Sequence, residues 1–174
     1  MNRLVSLRLP LVVVTFVVLA HTSFAATPID GVHVDLMALL VSTVAVVGGR
    51  ELAVVVGFVA GLAADAFLTT PFGLSSFAFA LVGYLLGEVE RFGRERSLLI
   101  NSLLIAVGSA AIQVVLTIGL YLLGLGNPLQ HRVLIEVGVV TGINFVLSPV
   151  ALLIVRFALP ASDLSLASTN RRRP

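Results

Sequence analysis

Residues 98–123 read LLINSLLIAVGSAAIQVVLTIGLYLL, an uncharged run of 26 residues. A helix of about 20 apolar residues is long enough to cross roughly 30 Å of hydrocarbon. Backbone groups in lipid must find their hydrogen bonds within the segment, so a run of this kind is helical. The stretch therefore predicts a transmembrane helix.

Similar apolar runs occur along most of the chain, divided by turn-forming stretches such as Gly48–Glu51 and Thr69–Gly73. Apolar residues make up 58% of the sequence and charged residues 11%, and the mean hydropathy is +1.09. A soluble domain rarely has this composition. We expect an all-α integral membrane protein whose six transmembrane helices form a compact bundle within one domain, residues 1–160. The runs are residues 9–26, 32–47, 52–68, 74–89, 98–123 and 133–159.

The arginines predict the orientation of this bundle, because cytoplasmic loops are enriched in basic residues. With six spans, all but one of the loop and terminal arginines fall on the same side, and Arg132 alone falls on the other. Arg156, near the inner end of the last run, can extend to the basic side. Both termini are therefore expected in the cytoplasm. Residues 161–174 are expected to form a disordered basic tail that contacts anionic lipid.

The first run has a competing interpretation as a secretory signal. Arg3 and Arg8 precede an apolar stretch that ends in the small-residue segment Ser23–Ala26. The stretch is long for a signal, and retaining it keeps the arginine pattern consistent. We therefore interpret residues 9–26 as a retained span.

The sequence contains few residues that could form a catalytic site. Cysteine is absent, and His21, His33 and His131 are scattered without a second ligand at helical spacing. No glycine-rich phosphate loop is present. The net charge is only +2, with arginines at helix ends, which argues against nucleic acid as a partner. We expect no enzyme activity, cofactor or metal site.

Asp65 is the carboxylate that needs an explanation, since a charge within a span costs about 2.5–3.5 kcal/mol on insertion scales. Gly57, Gly61 and Asp65 follow at four-residue steps and share one helix face, which allows close helix packing. One hypothesis is a proton, cation or ligand site. The favoured one is a packing carboxylate that caps the next turn through Thr70 or backbone N–H groups.

Other polar and small residues favour packing as well. Gly83 and Gly87 repeat the small-residue spacing on the fourth run. Asp35 is expected at a depth comparable to Asp65, in a polar cluster with His33 or with the Pro71 turn. Glu136 is expected to anchor the outer end of the last helix.

Three segments in order resemble the MreD family of bacterial rod shape-determining membrane proteins. They are GFVAGLAAD at 57–65, PFGL at 71–74 and LVGYLLG at 81–87. Val34-Asp35-Leu36 also resembles the family's opening of the second helix, with Val34 where proline is usual.

This resemblance implies a non-enzymatic component of the cell-elongation machinery in the cytoplasmic (inner) membrane of a bacterium. Such a component helps to organise or regulate peptidoglycan synthesis. Its implied partners are a bitopic MreC-like protein and, through it, MreB, RodA and a transpeptidase penicillin-binding protein. The candidate helix-packing or partner-interface residues are Asp65, Gly57, Gly61, Asp35, Pro71, Gly73, Gly83 and Gly87.

An alternative is the substrate-binding S subunit of an energy-coupling-factor vitamin transporter, which has similar size and architecture. Such a subunit needs an aromatic and polar pocket and a small-residue face on its first helix. This chain has no tryptophan, two tyrosines, Tyr84 and Tyr121, and a first run rich in valine and leucine. The rod-complex hypothesis is therefore favoured.

Overall fold

The computed structural model describes residues 14–15, 35–67, 71–90, 97–125 and 131–159 of the 174-residue chain. Every regular element within these ranges is helical. The long elements are α1 (Leu36–Phe67), α2 (Leu74–Glu90), α3 (Leu98–Leu122) and α4 (His131–Ala158). The tail expected at 161–174, and the first run apart from Val14 and Thr15, lie outside the described residues.

Three of the described helices are long and apolar enough to cross a membrane, namely Leu36–Ala66, Leu98–Leu122 and Val133–Ala158. The apolar helix Leu74–Val89 is shorter. These helices confirm the expected all-helical membrane protein for the part of the chain described. They do not establish six spans, because the runs expected at 32–47 and 52–68 are continuous in α1.

The two runs within α1 meet at Gly49. Its backbone is non-helical, with φ 77° and ψ 179°, a region that essentially only glycine occupies. The sequence predicted a four-residue turn at Gly48–Glu51. Because Gly49 makes the change of direction alone, the helix resumes at once on either side of it.

The kink folds the two halves of α1 against each other. Met37 and Val41, before the kink, share a buried cluster with Ala60 and Ala64 beyond it. In a straight helix Met37 and Ala64 would lie about 40 Å apart. Residues 37–46 are all buried, so the first half of α1 forms the centre of the bundle.

The remaining helices pack around this centre. A Cβ added at Gly108 of α3 would contact both Leu86 of α2 and Ser42 of α1, and one added at Gly119 would contact Leu74. Because Gly108 meets the end of α2 and Gly119 meets its beginning, α2 and α3 run antiparallel.

α4 runs parallel to the first half of α1. The side-chain amide of Asn144 donates to the backbone oxygen of Asp35 at 3.4 Å, and a Cβ at Gly48 would contact Leu159. α4 continues through Pro149, which cannot donate a backbone hydrogen bond to Phe145. The hydroxyl of Ser148 donates to that oxygen instead, at 2.7 Å.

Candidate functional site

The Asp65 carboxylate lies near the end of α1 and caps the beginning of α2. It is 4% exposed and accepts hydrogen bonds from the backbone N–H groups of Gly73, Ser75 and Ser76, at 2.8, 3.1 and 3.3 Å. The hydroxyl of Ser76 also donates to it, at 3.3 Å. The first N–H groups of a helix have no partner within the helix, and the positive end of the helix dipole favours a negative charge there. These bonds agree with the capping hypothesis, while Thr70 lies outside the described residues.

Pro71 and Gly73 shape the turn that presents these N–H groups. The backbone oxygen of Pro71 accepts from Leu74 at 3.2 Å, and that of Gly73 accepts from Phe77 at 3.0 Å. Gly73 has a φ of 97°, which side chains rarely allow. The turn therefore depends on glycine at the position whose N–H makes the shortest bond to Asp65.

Gly57 and Gly61 lie where the backbones of α1 and α2 touch. A Cβ added at Gly61 would lie 2.5 Å from the backbone nitrogen of Ser76, and one at Gly57 would lie 2.8 Å from the backbone oxygen of Phe79. Backbone atoms cannot move aside as a flexible side chain can. Neither position can accept a larger residue without moving a helix.

Gly83 and Gly87 lie on the other side of this same interface. A Cβ at Gly83 would lie 3.0 Å from the backbone oxygen of Ala53, and one at Gly87 would lie 2.5 Å from the backbone nitrogen of Arg50. The structure thus brings together two glycine faces that the sequence showed separately. The second half of α1 and α2 form one tight antiparallel hairpin, which we call the glycine hairpin (residues 50–67 and 71–90).

An ion pair joins the helices at the opposite end of the glycine hairpin from Asp65. Nη1 of Arg50 lies 2.9 Å from Oε2 of Glu88, and the Arg50 guanidinium lies 5.8 Å from the ring centre of Tyr84. Both charged side chains are 31% exposed, so water partly screens the attraction between them. Sequence reasoning missed this pair, because Arg50 was interpreted only as an orientation signal.

Asp35 has different partners from Asp65. Its carboxylate accepts from the backbone N–H of Ala38 at 2.9 Å and so caps the beginning of α1, while its backbone oxygen accepts from Asn144. The described hydrogen bonds of Asp35 and Asp65 therefore involve different helices. His33, the proposed third member of a shared cluster, lies outside the described residues.

The described residues favour a structural role for this region. The oxygens of Asp65 are engaged by the α2 cap, and no group of three His, Cys, Asp or Glu residues in the described ranges could hold a metal ion. Glu136 is half-buried near the beginning of α4. Tyr84 and Tyr121 are both exposed on the outside of the bundle.

We compared the chain with models of known protein families, with curated proteins and with solved structures. The family model described as rod shape-determining protein MreD matches residues 1–157. No curated protein and no solved structure matches the chain.

Proposed function

The chain belongs to the MreD family of rod shape-determining membrane proteins, and we propose that it acts as a non-enzymatic component of the bacterial cell-elongation complex. The family match over residues 1–157 carries this proposal. By contact with an MreC-like bitopic protein, the chain would help to organise peptidoglycan synthesis. MreB, RodA and a transpeptidase penicillin-binding protein would be reached through that contact.

We further propose that the chain crosses the bacterial inner membrane six times with both termini in the cytoplasm. The folding-back of α1 at Gly49 and the antiparallel course of α2 and α3 support this arrangement. The first of the six spans would be residues 9–26.

The glycine hairpin would serve as the rigid element that presents a surface to the partner. The glycines of this hairpin and Asp65 make contacts between its two helices. They therefore act as positioning residues, because these contacts fix how the opposite faces of the helices are presented. Those faces carry large exposed apolar side chains, which either lipid or a partner helix can cover. They are Val55, Phe58, Val59 and Leu62 on α1, and Phe77, Leu81, Tyr84 and Leu85 on α2.

Depletion in the native bacterium tests the proposed function. We expect depleted cells to widen and to lose side-wall incorporation of a fluorescent D-amino acid, and we expect the wild-type chain to restore both. A chain with the exposed substitution Ala66→Val should also restore them, whereas Gly61→Val should not. Unchanged cell width after depletion would contradict the proposal. Rescue of growth by added vitamins would favour the transporter alternative instead.

A further inference from the structure

α4 is packed much more tightly after Pro149 than before it. Within residues 133–147, only Val140 and Asn144 are buried, and the other side chains are half-buried or exposed. Half of residues 150–159 are buried, and most of these belong to the core cluster that surrounds the first half of α1. The buried ones are Ala151, Leu152, Val155, Ala158 and Leu159. Because burial of apolar area holds a helix in place, the end of α4 is anchored and its beginning is held less firmly.

The change in packing coincides with a weak point in the helix itself. Pro149 has no N–H to donate to the backbone oxygen of Phe145, and its ring crowds that oxygen. The hydroxyl of Ser148 satisfies the oxygen at 2.7 Å. Both partners of this bond lie before Pro149, so it does not join the two parts of α4. Helices bend preferentially at proline, so α4 can bend where its packing changes. We call residues 131–148 the α4 arm.

Within the described residues, one side-chain hydrogen bond joins the α4 arm to another helix. The side-chain amide of Asn144 donates to the backbone oxygen of Asp35 at 3.4 Å. This distance is longer than the usual range for N–H···O bonds, so the bond is weak. The same oxygen also accepts from the backbone N–H of Leu39, at 3.2 Å. Asp35 would therefore keep a partner for this oxygen if Asn144 moved away.

Asn144 is also incompletely paired in this position. It is 0% exposed, and its side-chain oxygen has no hydrogen-bond partner in the part of the chain that the structure describes. An amide buried among apolar side chains stabilises a packed position only when its groups are paired. One weak bond beside an unpaired oxygen contributes little, so the α4 arm loses little polar stabilisation when it moves.

We propose that the α4 arm is a mobile element that swings about Pro149. One position is the packed one described above, and in the other Asn144 has left Asp35, while the end of α4 stays in the core. Val139 lies about 15 Å from Pro149 along the helix, so a change of about 20° in the bend would move it by about 5 Å. Any molecule that binds one position better than the other would shift the balance between them.

Distances between paired spin labels, measured by pulsed electron paramagnetic resonance, test this motion. The chain contains no native cysteine, so labels attach only to introduced ones. Full-length double-cysteine variants would be reconstituted into lipid vesicles. One cysteine would replace Val139 on the α4 arm or Leu153 beyond the proline. The other would replace Phe58 of the glycine hairpin or Leu103 of α3, which gives two directions of view. All four side chains are exposed.

We expect the distance distribution from position 139 to be wider than that from position 153 by about 5 Å, with at least one of the two reference labels. Pro149→Ala restores the missing backbone donor, so it should narrow the distribution from position 139 to the width found at 153. Val150→Ala, at an exposed neighbouring residue, should leave both widths unchanged.

Three results would overturn the proposal. Equally narrow distributions at 139 and 153 in the otherwise unchanged chain, with both reference labels, would show that the α4 arm does not move. Equally wide distributions would show that α4 moves as a whole. A wide distribution at 139 that Pro149→Ala leaves unchanged would place the bend elsewhere. If the Pro149→Ala chain did not fold, the comparison of 139 with 153 would still decide whether the arm moves.

Discussion

Asp65 shows how a single buried charge can be held in an apolar bundle. Its carboxylate replaces the partners that the first N–H groups of α2 lack, and it does so from the preceding helix. The same bonds fix the distance between the end of α1 and the beginning of α2. A residue that costs free energy in a lone span thus becomes a link between two helices.

Replacing Asp65 by alanine should lower the free energy of unfolding by about 1–3 kcal/mol, because buried N–H groups would lose a charged acceptor. Asp65→Asn should cost less, since one side-chain oxygen remains. Thermal unfolding of the purified protein in detergent measures both. Glu51→Ala, at an exposed carboxylate on the same helix, is the control. Equal stability of all three variants would show that the cap contributes nothing.

The sequence indicated the cap only in part. The glycine spacing and the lone carboxylate pointed to Asp65, and the Pro71–Gly73 turn was visible as a turn. The particular donors depend on how that turn closes, which no local pattern determines. The ion pair between Arg50 and Glu88 was hidden for a similar reason, because the two residues are 38 positions apart and meet only once the hairpin forms.

Between elements, the glycine hairpin is held by direct contact of two backbones. Gly61→Val should lower the free energy of unfolding by about 1–3 kcal/mol, because its Cβ would press on the backbone of Ser76. Ala66→Val adds the same branched side chain at an exposed position of α1 and should change stability by less than about 0.5 kcal/mol. Thermal unfolding in detergent compares the two. Equal losses would contradict backbone contact at Gly61.

Gly49 provides a second test, which concerns the kink between the two halves of α1. No atom of the described residues lies within 4 Å of a Cβ added there, yet the φ of 77° and ψ of 179° disfavour any side chain. Gly49→Ala should therefore lower the free energy of unfolding by about 1–3 kcal/mol. At Gly48, which lacks a positive φ, an added Cβ would meet the movable side-chain ends of Leu52, at 2.7 Å, and of Leu159, at 3.3 Å. Denaturant unfolding should find a smaller loss for Gly48→Ala, and the reverse order would refute this explanation of the kink.

The elements themselves were largely predictable from hydropathy. The runs at 74–89, 98–123 and 133–159 correspond to α2, α3 and α4 within one or two residues at each end. The sequence placed a turn at Gly48–Glu51, but a glycine with φ of 77° lets the chain reverse in one residue. Apolar composition alone does not distinguish a four-residue turn from a reversal at a single glycine.

For the whole molecule, the sequence could not predict which apolar run lies at the centre of the bundle. Apolar composition makes every run a candidate for the centre, and only the structure shows that residues 37–46 occupy it. The course of the helices also gives the proposed orientation a sharp test. Phe72 and Leu125 end up on one side of the bundle, and Glu51 and Ser97 on the other.

Single cysteines at these four positions should react differently with a membrane-impermeant maleimide. The reagent would be added to spheroplasts, whose inner membrane is still sealed. We expect cysteines at 72 and 125 to be labelled from outside, and those at 51 and 97 only after permeabilisation. The cysteine-free wild-type chain controls for background labelling. The opposite pattern would place the termini outside, and labelling of one cysteine from each pair would contradict the proposed course of the helices.

The most direct test of the proposed function is the recovery of a tagged full-length chain from its native membrane in mild detergent, followed by mass spectrometry. We predict enrichment of an MreC-like bitopic protein, with RodA-like and transpeptidase proteins in lower amounts. An unrelated six-span membrane protein carrying the same tag is the control. Recovery of a transporter ATPase pair without wall-synthesis proteins would contradict the rod-complex assignment.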